Sequence, residues 1–591
     1  MLNVWKENVI IPTYKTGDYE KYPMFFEKRV YQGSSGAVYP YPIIEKIYDV
    51  KSDQQYEAVF IENEYLKVMI LSQLGGRVQM AWDKINQRHF IYYNEVIKPA
   101  LVGLTGPWIS GGIEFNWPQH HRPSTFLPVD CQIEKSEDGS CTVWVSETEK
   151  FNLQECRTGF TLYPERAYLE VKVRLFNGTP LPQTFLWWAN PAVSVNEHYQ
   201  SVFPPDVKAV YDHGKRDVSS FPIATGKYYK IDYSAGVDIS MYKNIPVPTS
   251  YMAVNSKYDF LGGYEHDKKV GMIHLANHHV SPGKKMWTWG NSDFGITWNK
   301  HLTDDNGPYI ELMAGVFTDN QPDFSWLQPY EERSFSQYFI PYSGLGVIKN
   351  ASKELLLNVE SVAGKVLVSL QSTQAQKDIQ LLVGVFYSEK FDLRPGDVFR
   401  REIAVPADTV FDVYVLDAIG KQLLSYREET VVAAPIPEAA RPPREAEKIE
   451  SSEEAYLTGL HLEQYRHANF DPTAYYTRAI ELDASDSRSN NALGMWFLRR
   501  SRFDEAAKFF EFAIHSQKRF NPNPANGEIF YHLGLALLGQ GRIKEAYDTF
   551  YKATWSAAIQ DAAWFECAKI STAENRFEDA MYELGKSLSR N

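Results

Sequence analysis

The chain has 591 residues, of which 44% are hydrophobic and 23% charged, and 74 acidic residues against 61 basic ones give a net charge of −13. This composition excludes wholesale disorder, and at about 100–200 residues per domain the length points to roughly three to five domains. The acidic balance, without any basic block, argues against nucleic acid as a partner.

No apolar run approaches the roughly 20 residues that span a bilayer, so no membrane partner is expected. The N-terminus, MLNVWKENVIIPTYK, lacks a basic segment, an apolar core and a small-residue cleavage site, and the chain reads as cytoplasmic. Cys131, Cys141, Cys156 and Cys567 form neither a disulfide framework nor a zinc pattern and read as reduced thiols. With no phosphate loop, dinucleotide motif or metal-ligand cluster, neither a metal nor an organic cofactor is predicted. Aromatic residues reach 14%, and 11 of the 14 tryptophans precede residue 346. Flat apolar faces beside hydrogen-bonding groups suit sugar rings, although β-sandwich cores also use many aromatics.

In chain order, residues 1–44 read as an N-terminal β extension, with strands near 1–60 forming an extra layer. Residues 45–345 are rich in strand signals such as VWVSETEKF (143–151) and AYLEVKVRLFN (167–177), with Gly, Pro and Asn turns and almost no helical periodicity. A region this long implies a large antiparallel sandwich. Residues 346–432 read as a small β-sandwich. KVLVSL places Val366, Val368 and Leu370 on one face, FDVYVL does so with Phe411, Val413 and Val415, and RPGD (394–397) is a turn. Prolines followed by a charged run mark 433–452 as a linker. In 453–591 a repeat appears. Gly494, Gly534 and Ala568 correspond at separations of 40 and 34, as do Ala506, Ala546 and Ala580, and the extra residues fall in the NPNPAN turn (521–526). Gly459 lies 35 residues before Gly494, giving four helix-pair units that resemble tetratricopeptide repeats. The fold class is therefore multidomain β plus α.

Two segments carry a further resemblance. LKVMILSQLGGRVQMAWDKINQRHFIYYN (66–94) runs strand, Gly-Gly-Arg turn, strand, polar turn and aromatic strand end. PYIELMAGVFTDNQPDFSWLQPYEERSFSQYFIP (308–341) runs from a strand bearing Glu311 to a turn with Leu327, Pro329 and Glu331. In this order they resemble galactose mutarotase-like (aldose 1-epimerase-like) sandwiches over about 45–345, and the whole chain resembles a bacterial, DUF5107-like family that couples such a domain to tetratricopeptide repeats. The resemblance implies a general base at Glu311. It fails at the usual catalytic histidine: TFLWWANPAVSVNEHYQSVFPPD (184–206) offers Trp187, Trp188 and Asn190, and His198 falls eight residues beyond Asn190.

WISGGIEFNWPQHHRP (108–123) packs Gly111, Gly112, Glu114, Asn116, Trp117, His120 and His121 into one segment. The glycines would let the backbone pass close to a ligand, and the polar side chains would line a site; the alternative is a solvated surface loop. Glu311 between Ile310 and Leu312 would point into a concave face, where a carboxylate is costly unless hydrogen-bonded or used. Glycosidic cleavage needs two carboxyl groups, and Glu311 and Glu114 could be that pair, with His120 or His121 as an alternative acid. Arg77, Asn116, Trp117, Trp187, Asn190, Asp206 and Trp289 are the remaining candidates for contacting a sugar, with Trp117 and Trp187 as stacking walls.

The favoured expectation is a glycoside hydrolase acting on imported oligosaccharides. The first alternative is an aldose 1-epimerase-type isomerase. The second is a non-enzymatic sugar-binding scaffold whose repeats bind a protein partner or mediate homo-oligomerisation.

Overall fold

A computed structural model describes residues 2–21, 40–119, 121–318, 323–362, 364–406, 409–428, 436–467 and 469–590. Two large antiparallel sheets, of twelve and eight strands, face one another across the main core. Strand alternation supplies that core from both sides: Ile113, Phe115, Leu312 and Met286 from the larger sheet meet Val143, Phe160, Val171 and Phe339 from the smaller.

The N-terminal segment does not form a separate layer. Strand Asn3–Thr16 pairs antiparallel with Ile47–Glu62, with Asn3 opposite Glu62 and Tyr14 opposite Lys51, so it becomes the edge of the larger sheet. Trp5 stacks on Phe60 at 5.2 Å between ring centroids, which fastens this edge.

The small sandwich consists of two four-stranded sheets. Val366, Val368, Leu370, Phe411, Val413 and Val415 are all buried between them, as the alternation predicts, and the RPGD turn closes through Asp397 N to Arg394 O at 3.0 Å. The end of the Pro-rich segment does not run free. Ala446 and Ile449 are buried against the first helix pair, and Tyr475 donates its hydroxyl to Arg444 O at 2.9 Å.

Among the described residues, eight helices between Ser452 and Leu588 pack as four consecutive pairs. Side-chain caps start three of them: Ser451 accepts from Glu454 N, Asp471 from Thr473 N, and Asp486 from Arg488 N and Ser489 N. The repeated glycines have one packing role. A Cβ on Gly459, Gly494 or Gly534 would stand 2.7, 2.4 or 2.6 Å from the ring of Tyr476, Phe510 or Phe550, on the second helix of the same pair. Among the described residues no helix is long and apolar enough to cross a membrane.

This packing makes Gly534→Ala and Gly585→Ala a matched pair. Space around Gly585 is open within 4 Å. Overpacking should cost Gly534→Ala about 1–3 kcal/mol, whereas Gly585→Ala should gain up to about 1 kcal/mol from helix propensity; urea midpoints of the full chain check both.

Candidate active site

Three strand pairings assemble the site. Ile113–Asn116 lies beside Trp188–Ser194, with Glu114 opposite Asn190 and Asn116 opposite Trp188. Trp188–Ser194 lies beside Tyr309–Gly315, with Ala192 opposite Glu311. Gly283–Thr288 comes next, with Lys285 opposite Met313 and Trp287 opposite Glu311. Alternation then puts Glu114, Asn116, Trp188, Asn190, Glu311, Lys285 and Trp287 on one face, away from the main core. Pro191 interrupts the central strand, and Asn190 sits at that interruption, between the two carboxylates.

Glu114 is buried, and its carboxylate is saturated. Thr125 Oγ1 donates to Oε1 at 2.7 Å; Trp108 Nε1 donates to Oε2 at 2.9 Å; His121 Nδ1 and Asn190 Nδ2 approach Oε2 at 3.3 and 3.5 Å. Burial alone would raise its pKa, but the His121 charge and the hydrogen bonds from His121, Thr125 and Trp108 outweigh it and hold the carboxyl well below the usual range. His121, at a backbone φ of 43°, has its ring edge-on to Trp108 and Trp188 at 5.3 and 6.0 Å.

Glu311 has the opposite fate. Burial pushes its carboxyl up to about 7 and the nearby Glu114 adds to this, against the lowering pull of His121, Lys285 and a hydrogen bond from Asn190. Asn190 therefore bridges both carboxylates. Lys285 is also buried, and desolvation lowers its pKa against the attraction of Glu311. Its Nζ lies 2.9 Å from His213 Nε2 and 5.7 Å from the centre of the Trp188 ring. Trp287 and Trp289 meet edge-on at 5.5 Å, and Trp289 stacks flat on Trp298 at 4.5 Å while donating to Tyr309 Oη at 3.3 Å. Trp188 Nε1, Asn116 Nδ2 and Asn190 Oδ1 are buried without a hydrogen-bond partner among the described residues. Such atoms favour a polar ligand.

Of the residues expected from sequence, Glu311, Glu114, His121, Asn116, Asn190 and Trp289 are brought together. His120 lies outside the described residues. Four candidates are engaged otherwise. Trp117 and Trp187 lie in the main core, because each has the opposite strand parity to its site neighbours Asn116 and Trp188. Asp206 accepts from Ser256 Oγ and Lys257 N at 2.8 and 2.7 Å and so holds a turn. Arg77 lies on the site's side of the sheet, near enough to Glu114 and Tyr309 to feel their charge, but it is buried and gives its guanidinium to the carbonyls of Ile109, Ser110 and Gly111. The two glycines pass close to the chain itself rather than to a ligand: a Cβ on Gly112 would stand 2.1 Å from Val78 O. Sequence reasoning missed Trp108, Thr125, His213 and Lys285, and named Trp188 only as a residue offered where the usual histidine is absent. Parity with Trp289 could have found Lys285; His213 is 72 residues from Lys285, and no local pattern marks it.

A family model described as a domain of unknown function, DUF5107, matches residues 34–342, more than half of the chain. The chain belongs to the DUF5107 family. A second model, described as the second domain of YphG-like proteins, matches residues 350–426, the small sandwich. Among solved structures, the chain is similar to a TPR-domain-containing protein from Parabacteroides distasonis, at 17% identity over 99% of this chain and 86% of that one, with a TM-score of 0.49. It is also similar to galactose mutarotase-like proteins from Lactobacillus casei (11% identity, 48% of this chain, 100% of that one, TM-score 0.35) and Clostridium acetobutylicum (10%, 49%, 96%, 0.35).

The placement of Arg77 generates a prediction for this DUF5107 chain. Arg77→Met strands three buried carbonyls, which should destabilise the fold by about 3 kcal/mol in urea unfolding. An unchanged midpoint with weakened ligand binding would instead make Arg77 a ligand contact.

Proposed function

We propose that this chain catalyses proton transfer at the anomeric centre of a sugar, as an aldose 1-epimerase does, with Glu311 and His121 as the proton-transfer pair. The observation that carries this reading is the unequal treatment of the two carboxylates. Both oxygens of Glu114 are engaged by donors, so this group suits orienting His121 better than attacking carbon or activating water. Glu311, with its pKa raised by burial to about 7, can take and return a proton near neutrality. Glycoside hydrolysis calls for two available carboxyl groups, and this arrangement supplies one.

In the proposed step, the Glu311 carboxylate removes the proton of the anomeric hydroxyl. The C1–oxygen bond of the ring breaks as the carbonyl forms, and protonated His121 delivers a proton to the departing ring oxygen. Rotation about C1–C2 and the reverse transfers close the ring with the other configuration. Trp188, Trp287 and Trp289 provide apolar faces for the ring. Asn116 Nδ2, Asn190 Oδ1 and Trp188 Nε1 provide donors and an acceptor for hydroxyls.

The test is polarimetry and proton NMR on freshly dissolved α-anomers of common hexoses. Wild type should speed equilibration, with kcat/KM rising with pH through about 7, because the base must be ionised and its pKa is raised. Glu311→Gln should lose about 10³-fold and the limb near pH 7. Glu114→Gln should lose less, about 10–100-fold, and keep that limb. New reducing ends from oligosaccharides would establish hydrolysis instead. Sugar binding without either reaction would leave the scaffold reading.

A further inference from the structure

The helical repeats hold a segment of their own chain. The β-sandwich projects the loop ahead of strand Gln183–Phe185 and the loop after its partner strand Ser325–Leu327 toward them. Tyr531 donates its hydroxyl to Pro180 O at 2.9 Å, and Arg499 donates to Pro182 O and Gln183 Oε1 at 2.6 and 3.4 Å. Leu181 and Tyr330 pack on the core of the repeats, and the Tyr330 ring meets Phe565 edge-on at 4.6 Å. Gln464 donates to Asp323 Oδ1 at 2.8 Å. These contacts come from all four helix pairs.

One of them reaches the site. Arg466, in the turn after helix Ser452–Gln464, lies with its guanidinium 4.3 Å over the Phe324 ring. It donates to both the carbonyl and the hydroxyl of Thr184, and to Gln119 Oε1 at 3.1 Å. Gln119 is fully buried and lies two residues before His121. Thr184 lies two residues before Leu186, whose N–H bonds to Pro118 O at 2.7 Å, and four before Trp188. One planar cation thus ties together the two segments that deliver His121 and Trp188.

We propose that the repeat domain works in cis as a clamp on the site, with Arg466 as the positioning residue that fixes the His121 loop against the Trp188 strand. Its catalytic consequence rests on the function proposed above; the clamp itself does not. The repeats' own recognition surface is then committed to residues 179–184 and 323–331 of this chain, and the acidic–aromatic site, whose residues the sandwich supplies, is held in register when they are docked. A lysine, with a compact charge in place of a planar fork, can satisfy fewer of these acceptors.

Arg466→Ala, Arg466→Lys and Gln119→Ala in the full chain test this by hydrogen–deuterium exchange and by sugar kinetics. Exchange in 112–128 and 183–190 should quicken about tenfold in Arg466→Ala, as expected for losing a charged hydrogen-bond donor. Arg466→Lys should fall between alanine and wild type, and helices 528–588 should keep their protection. Gln119→Ala should quicken 112–128 without touching the repeats, which covers the case in which Arg466→Ala loosens the first helix pair. In the kinetic arm, kcat should fall with KM little changed. Unaltered exchange in 112–128 in both Arg466→Ala and Gln119→Ala would overturn the clamp. If wild type shows no sugar turnover, the proposed function fails while the exchange experiment still decides the clamp.

Discussion

A carboxylate taken out of water must be compensated or neutralised, and this constraint governs the candidate site. Removing such a charge from solvent costs several kcal/mol unless donors replace the lost hydration. Glu114 obtains that replacement from Trp108, Thr125 and His121 and stays ionised. Glu311 is buried to a similar degree but receives less, and its proton affinity rises. Two chemically identical side chains, two strands apart or about 10 Å between backbones, thereby acquire different roles.

The fold supplies this difference through position. Glu114 sits where the sheet meets the loop that returns through His121 and Thr125, so donors from outside the strand can reach it. Glu311 sits on an interior strand whose neighbours across the pairing are Ala192 and Trp287, neither of which donates to it. Asn190, beside the proline that interrupts the ladder, and Lys285 favour its charge from within the sheet. The sheet therefore withholds hydration from one carboxylate while its loop restores it to the other.

Much of the architecture was legible because periodicity is a local property. Val366, Val368 and Leu370 announce a buried strand face by alternation alone, and the spacing of Gly494 and Gly534 reports a helix contact with Phe510 and Phe550. Glu311 stood out as a charge within an apolar strand, and Glu114 as part of a segment dense in glycine and polar side chains. The errors came where parity or distance decides. Trp117 and Trp187 are each one residue out of phase with the site, and on a strand one residue reverses the face. Arg77 and Asp206 are chemically able to bind a sugar, but their partners at Ile109–Gly111 and Ser256–Lys257 lie tens of residues away. His213 joins Lys285 only through folding.

The repeats extend the same logic beyond the sandwich. A superhelix of helix pairs presents a surface suited to an extended segment, and here the segment Thr179–Thr184 carries two prolines, which lower the entropy lost when it is held. Ordering that segment also orders the strand beyond it, since Thr184 leads directly into Trp188 and Asn190. The backbone bond from Leu186 to Pro118 carries the constraint across to the loop of His121. A site whose proposed proton-transfer groups come from a loop and a strand needs those two held in register. In this chain the register is held from outside the sandwich, by Arg466 on the first helix pair.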